Sequence, residues 1–254
     1  MITRETISAL ARRYQTSEFP NIVREYFQHL FVSALYRLPG AEKLLFKGGT
    51  AFRIVYGSPR FSEDLDFSLT GTAQRSAKTF VEDLFLRVLA ETERTGSTVR
   101  VDGRSDATSG GYCGAATFRG GEYPPVGVEI NVSTRNGKTV AGEADSIVND
   151  FVPAYTVVHL PQEAMVEEKI FGALVQRKKP RDFYDLYFLM RKGMLTTRQK
   201  LRLGKGMPGI LADARRVNFK TELGTFLPID QQGIIRDFAV TLEREMKNQL
   251  SGQR

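Results

Sequence analysis

A single cysteine, Cys113, stands in the 254 residues. It cannot form an intrachain disulfide or a thiolate zinc cluster, and it points to a reducing cytosol as the compartment. Histidine is nearly as scarce, with His29 and His159 the two present. Neither neighbours a nucleophile, which argues against a histidine-based hydrolase, and His29 reads as a structural residue beside core aromatics. No apolar run reaches the length of a membrane span. Met1 to Gln15 is polar and charged, without the apolar stretch of a secretory signal, so none is expected. The phosphate-loop pattern G-x-x-x-x-G-K-[ST] is missing. Gly204-Lys-Gly206-Met-Pro-Gly209 does satisfy G-x-G-x-x-G, but no strand precedes it and a proline sits where the helix should begin, so a dinucleotide site is rejected. Neither an internal repeat nor a low-complexity tract interrupts the chain.

What the chain does have is apolar material, 41% of it, enough to bury a core over one large domain or two small ones. Its net charge of +7 is uneven. Residues 160–254 carry eighteen Lys and Arg against eleven Asp and Glu, which accounts for all of it, while residues 1–159 balance at eighteen of each. From Lys169 to Lys205, eleven basic residues face only Asp182 and Asp185. A basic face confined to one part of a chain suits a polyanion, most simply nucleic acid. A solvated helical surface is the plainer alternative.

Ile22, Val23, Tyr26, Phe27, Leu30, Phe31, Ala34 and Leu35 recur at helical spacing and predict an amphipathic helix over 20–37. Residues 44–46 predict a short strand ending at Gly48-Gly49, and 50–56 a helix stopped by Gly57-Ser-Pro59. A second strand is expected over 64–69 and a long helix over 72–95. Further strands are expected over 98–101, 112–118, 126–132 and 155–158, with 135–150 a long loop. From Pro161 the chain turns helical. An irregular stretch is expected over 204–233 and a terminal helix from about Ile234 to Leu250. The expected class is α/β (α+β): a mixed sheet with flanking helices in a domain over 1–159, then a mainly helical, basic domain over 160–254 that completes an active-site cleft.

The residues that could carry chemistry lie first in the Lys47-Gly48-Gly49-Thr50 turn and in Asp64-Leu-Asp66. Side chains at i and i+2 of a strand share a face, so Asp64 and Asp66 project together while Leu65 and Phe67 enter a core. Two carboxylates beside a turn with available backbone N–H groups can hold Mg²⁺ and nucleotide phosphates together. Glu129, opposite Val128 and Ile130 on its own strand, offers the third carboxylate that two-metal phosphoryl or nucleotidyl transfer requires. A solvated, acidic strand edge is the alternative.

Gly48-Gly49-Thr50 followed by Arg60-Phe-Ser62-Glu-Asp64-Leu-Asp66-Phe67 resembles the signature of the nucleotidyltransferase superfamily related to DNA polymerase beta. More narrowly, the chain is similar to the AbiEii/AbiGii toxin group. Glu168-Lys169-Ile-Phe-Gly-Ala173, Arg177 and Arg181-Asp182-Phe-Tyr-Asp185-Leu186-Tyr187 match that group's downstream lysine and R-D-x-x-D-L motifs, over roughly 40–190. The resemblance implies a nucleotidyltransferase-like sheet, an NTP substrate and two Mg²⁺ on Asp64, Asp66 and Glu129. It implies Lys47, Gly48, Gly49, Thr50, Ser62, Lys169 and Arg181 around the nucleotide. It also implies an essential carboxylate at Asp182 or Asp185, a tRNA 3′ end as acceptor, blocked translation, and an antitoxin partner encoded nearby in a toxin–antitoxin or phage-defence system.

Read from the residues alone, several roles stay open. Lys169 beside the apolar Ile170–Ala173 stripe can enter a cleft as a point charge for phosphate, or can snorkel along an amphipathic helix. Asp182 can be a first-turn carboxylate favoured by the helix dipole. Asp185 can brace Arg181 or Lys169. A phosphate on Ser62, on the strand face of Asp64, would compete for Mg²⁺ and act as an off-switch; the hydroxyl can equally bond the turn. Arg60 can steady phosphate, brace Asp64 or lie at the surface. The expected activity is Mg²⁺-dependent transfer of a nucleotide from an NTP to RNA. Nucleotidylation of a protein side chain and a non-catalytic nucleic-acid-binding role are the alternatives.

Overall fold

Among the described residues, seven short strands supply the frame of the first compact unit, the residues up to Leu160. They are β1 (Leu44–Lys47), β2 (Leu65–Leu69), β3 (Thr98–Asp102), β4 (Tyr112–Arg119), β5 (Val126–Thr134), β6 (Glu143–Ile147) and β7 (Tyr155–His159). The computed structural model describes residues 2–102, 112–134 and 139–250. The sheet runs β3-β4-β5-β2-β1-β7-β6. β2 pairs parallel with β5, and β1 pairs parallel with β7, while the other contacts are antiparallel. Such a mixed sheet needs apolar cover on its faces. Helices α1 (Arg4–Arg13), α2 (Val23–Leu35), α3 (Gly48–Ile54) and α4 (Gln74–Glu93) accompany it in this unit.

Alternation explains the strands. Val126, Val128, Ile130 and Val132 of β5 are buried, whereas Gly127 and Glu129 between them are exposed and Asn131 is half-buried. In β2, Leu65 and Phe67 are fully buried, as the period of two requires. Phe67 meets Phe46 of β1 and Phe85 of α4, which joins the central strands to the long helix. β6 falls inside the span expected as a loop. It is an edge strand of which Glu143, Ala144, Asp145 and Ser146 are exposed, so no apolar alternation announces it. Charged residues on an edge discourage pairing with other chains. The helix expected over 20–37 starts in a π-helical segment, Glu18–Ile22, before α2 proper.

The second unit runs from Pro161. It comprises α5 (Gln162–Glu167), a π-helical stretch Glu168–Leu174, α6 (Val175–Arg177), α7 (Pro180–Arg191), α8 (Thr197–Ala214), α9 (Lys220–Phe226) and α10 (Phe238–Leu250). The irregular stretch expected over 204–233 is in large part helical. α8 passes through Gly204, Gly206, Pro208 and Gly209 without ending. Its start is fixed by a capping box between Thr196 and Gln199. Buried Leu203, Leu211 and Ala214 hold one face in the core, and that burial outweighs the poor helix propensity of glycine and proline. Phe183, Tyr184, Phe219 and Phe238 form the aromatic centre of this unit. Among the described residues no helix is long and apolar enough to cross a membrane.

Candidate active site

The glycine turn and the carboxylates meet across two paired strands. Lys47 at the end of β1 lies opposite Asp66 of β2 in antiparallel register. Gly48 then takes a positive φ of +83°, which turns the chain directly into α3. A Cβ on Gly48 would fall 2.3 Å from Asp66 Oδ2, so only glycine lets the backbone lie against that carboxylate. A Cβ on Gly49 would fall 2.7 Å from Arg60 Nη2 and 2.8 Å from Ser62 Oγ. The turn is thus a tight cradle with Asp66 on one side and Arg60 and Ser62 on the other.

Asp66 is half-buried and accepts a hydrogen bond from Asn131 Nδ2 at 3.3 Å. Asn131 is its direct register partner on β5. Lys47 Nζ donates to Ser133 Oγ at 2.9 Å, and Ser133 lies 3.2 Å from the Ser68 hydroxyl. Lys47, Asp66, Ser68, Asn131 and Ser133 therefore form a polar patch across β1, β2 and β5. Thr50 is buried, and its hydroxyl donates to the backbone carbonyl of Asp64 instead of pointing outward.

β2 begins at Leu65, so Asp64 and Ser62 precede the strand and do not share a strand face. Ser62 instead packs against Gly49. Arg60 is not a surface residue: it is buried and donates to the Phe61 carbonyl at 2.9 Å. Glu129 is exposed on β5, one residue upstream of the Leu65–Ile130 register pair and so level with Asp64. Among the described residues no three Asp, Glu, His or Cys side chains gather as a metal group, so Glu129 does not close up with Asp64 and Asp66 here. Asp64 and Asp66 are hard oxygen donors, and the Asp66 carboxylate lies against the glycine turn. That donor chemistry fits Mg²⁺, which typically takes one or two protein carboxylates and completes its shell with substrate phosphate and water.

Lys169, Asp182 and Asp185 come together in the second unit. Lys169 is 8% exposed, and its Nζ lies 3.1 Å from Asp182 Oδ1 and 2.6 Å from Asp185 Oδ2. Both carboxylates are fully buried. Arg177 Nη2 adds a bond of 2.7 Å to Asp182 Oδ1. Asp182 Oδ2 also accepts from the Lys179 backbone N–H at 3.3 Å, as a first-turn carboxylate of α7. Asp182 is thus at once a first-turn carboxylate of α7 and a partner of Lys169, and Asp185 braces Lys169. Arg181 turns instead to Glu222, at 3.5 Å. Lys169 belongs to the π-helical stretch, a distortion that recurs at functional sites.

Both histidines serve the fold. Buried His29 bonds the Tyr155 hydroxyl at 2.9 Å and stacks on Phe151. Desolvation, helped by the Arg53 charge, pushes its pKa down to about 3. His159 is buried between the Leu160 carbonyl and Asp145. Sequence reasoning missed Asn131 and the burial of Arg60. Asn131 did carry a signal, since it follows Glu129 at the same period on an apolar strand.

The sequence profile of the family described as "Nucleotidyl transferase AbiEii toxin, Type IV TA system" matches residues 30–243. No curated protein matches the sequence. Among solved structures, JHP933 from Helicobacter pylori superposes with a TM-score of 0.64 at 18% identity, over 93% of this chain and 94% of that one. MenT4, a nucleotidyltransferase toxin from Mycobacterium tuberculosis H37Rv, gives a TM-score of 0.63 at 16% identity, over 97% of this chain and 89% of that one. At such identities the likeness is one of fold.

Proposed function

The chain belongs to the AbiEii nucleotidyltransferase toxin family, and from that premise we propose that it transfers a nucleotide from an NTP to an RNA hydroxyl. The tRNA 3′ end is the acceptor we favour, with blocked translation as the outcome and an antitoxin protein as the partner that restrains it. The observation that carries the reading is the contact of the Gly48 turn with the Asp66 carboxylate, an arrangement that would bring phosphate-binding backbone N–H groups beside a metal ligand. Asp64 and Asp66 would hold Mg²⁺, with Glu129 the carboxylate available to a second ion. The bound cations would lower the charge barrier to attack and stabilise the leaving pyrophosphate.

In the transfer the acceptor oxygen forms a bond to the α-phosphorus, the bond to the bridging oxygen of pyrophosphate breaks, and the hydroxyl proton leaves to solvent. The Gly48 and Gly49 backbone orients the phosphates. Lys47, held by Ser133, contributes a positive charge on the sheet face beside Asp66. We assign Lys169 as a phosphate-binding cation whose ammonium is aimed by Asp182 and Asp185. Arg198, Lys200 and Lys205 of α8 take part in no ion pair among the described residues, and they offer charge to an RNA backbone. A phosphoryl group on Ser62 would crowd the same cradle and switch transfer off.

Incubation with each labelled NTP, Mg²⁺ and total RNA tests the reading. Label is expected in RNA and is lost in Asp66→Ala. Label in a protein band with RNA absent moves the acceptor to protein, and no label in either sinks the transfer reading.

A further inference from the structure

Asp64 sits at the end of a segment, residues 58–64, that belongs to no helix or strand. The backbone carbonyls of Ser58, Pro59, Phe61, Ser62, Glu63 and Asp64 are nonetheless held by side-chain donors. Arg53 Nη1 donates to the Ser58 carbonyl at 3.1 Å and the Pro59 carbonyl at 2.9 Å. Arg60 reaches Phe61, and the Thr50 hydroxyl reaches Asp64. Between them Gln28 Nε2 donates to both the Ser62 and the Glu63 carbonyls, each at 3.1 Å.

Two of these donors are tied to α2: Gln28 belongs to it and Arg53 is held by it. Arg53 forms a two-pronged pair with Glu25, at 2.6 and 2.8 Å, and its guanidinium lies 3.7 Å from the Phe61 ring centroid. Gln28 is 1% exposed and follows Glu25 by three residues, on the same face of the helix. In an extended chain successive carbonyls point to opposite sides. One amide can therefore bond both Ser62 and Glu63 only where the backbone bends, and that bend lies immediately before Asp64.

We propose that Gln28 and the Arg53–Glu25 pair are positioning residues for nucleotidyl transfer. They set the backbone of 58–64 so that the Asp64 carboxylate meets the cation held by Asp66. Backbone groups outside regular structure stay where their partners keep them, and no strand ladder does that work here. The inference rests on the reading above that Asp64 and Asp66 hold a divalent cation.

Gln28→Met keeps length and volume while removing both donated bonds. Mn²⁺ titration of the intact protein, followed by water-proton relaxation, reads the cation site directly. The midpoint is expected to rise about tenfold, the usual scale for losing an outer-shell partner, with kcat falling and KM for NTP moving less. Val32→Ala, a fully buried truncation on the same helix, is the control for lost stability and leaves the Mn²⁺ midpoint in place. Arg53→Lys keeps a positive charge but cannot hold Glu25 through two nitrogens while a third bonds the Ser58 and Pro59 carbonyls. It raises the midpoint as well, and decides the question if Gln28→Met does not fold. An unchanged midpoint in Gln28→Met, or an equal rise in Val32→Ala, overturns the positioning role while leaving the transfer reading intact. A folded wild type that binds no Mn²⁺ overturns the cation reading itself, and the positioning role with it.

Discussion

Gly48→Ala isolates the contact on which the active-site reading turns. An alanine Cβ there would lie 2.3 Å from Asp66 Oδ2, where ordinary contact begins at 3.4 Å. The carboxylate or the turn must therefore give by about 1 Å, a misplacement on the scale that costs roughly 100-fold in rate. The positive φ adds strain for any residue with a Cβ, about 1–2 kcal/mol. In a unit of this size that strain corresponds to a Tm loss of roughly 2–8 °C. Gly57 separates the two effects. Its φ is +71°, yet nothing lies within 4 Å of an added Cβ, so Gly57→Ala carries strain without collision. The assay pairs thermal unfolding with NTP transfer to RNA and with Mn²⁺ binding. Both variants should lose Tm, Gly48→Ala the more because the collision adds to the strain, while only Gly48→Ala should lose transfer and bind Mn²⁺ more weakly. Full transfer in Gly48→Ala, or an equal loss of transfer in Gly57→Ala, would refute the coupling of turn and carboxylate.

Two further outcomes follow from buried charge. Lys169→Met removes the ammonium that lies 3.1 Å from Asp182 and 2.6 Å from Asp185, both of them buried; the expected cost is about 3–5 kcal/mol by denaturant unfolding. The double variant Lys169→Met/Asp185→Leu should recover part of that loss, and a double variant no better than the single one argues against a mutually dependent cluster. His29 gives the acid limb of stability. Its folded pKa of about 3 lies below the unfolded value of about 6.5, so the unfolded chain binds the extra proton between those values. Stability is full above about 6.5 and falls on acidification by about 1.4 kcal/mol per pH unit in that window. His29→Gln should flatten this slope, and an equally steep slope in the variant would place the acid sensitivity elsewhere.

Much of the first unit was legible because its signals are local. The β5 alternation of Val126, Val128, Ile130 and Val132 appears in the structure as a strand with one buried face. The glycine turn after Leu44–Phe46 is likewise where strand passes to helix. What was not legible depends on partners far along the chain. The exposed residues of β6 carry no pattern, and only pairing with β7 makes them a strand. Ser62 looks like a strand residue by its spacing from Asp64. The donors that bend 58–64 off the strand come from Gln28 and Arg53, which no local window contains.

The second unit makes the same point more sharply. Glycine and proline within 204–209 read as a break, because propensity is a property of each residue alone. α8 persists because Leu203, Leu211 and Ala214 are buried on one face, a property of the packed unit. The roles of Lys169, Asp182 and Asp185 stayed open for a related reason. Thirteen positions separate Lys169 from Asp182, and periodicity cannot say which carboxylate a lysine on another helix will meet. The structure answers that it meets both. A buried pair of this kind is weak evidence for stability, since apolar residues of equal volume often pack as well or better. Removing one member from one side leaves uncompensated buried charge, so Lys169, Asp182 and Asp185 depend on one another whatever the cluster adds to the core.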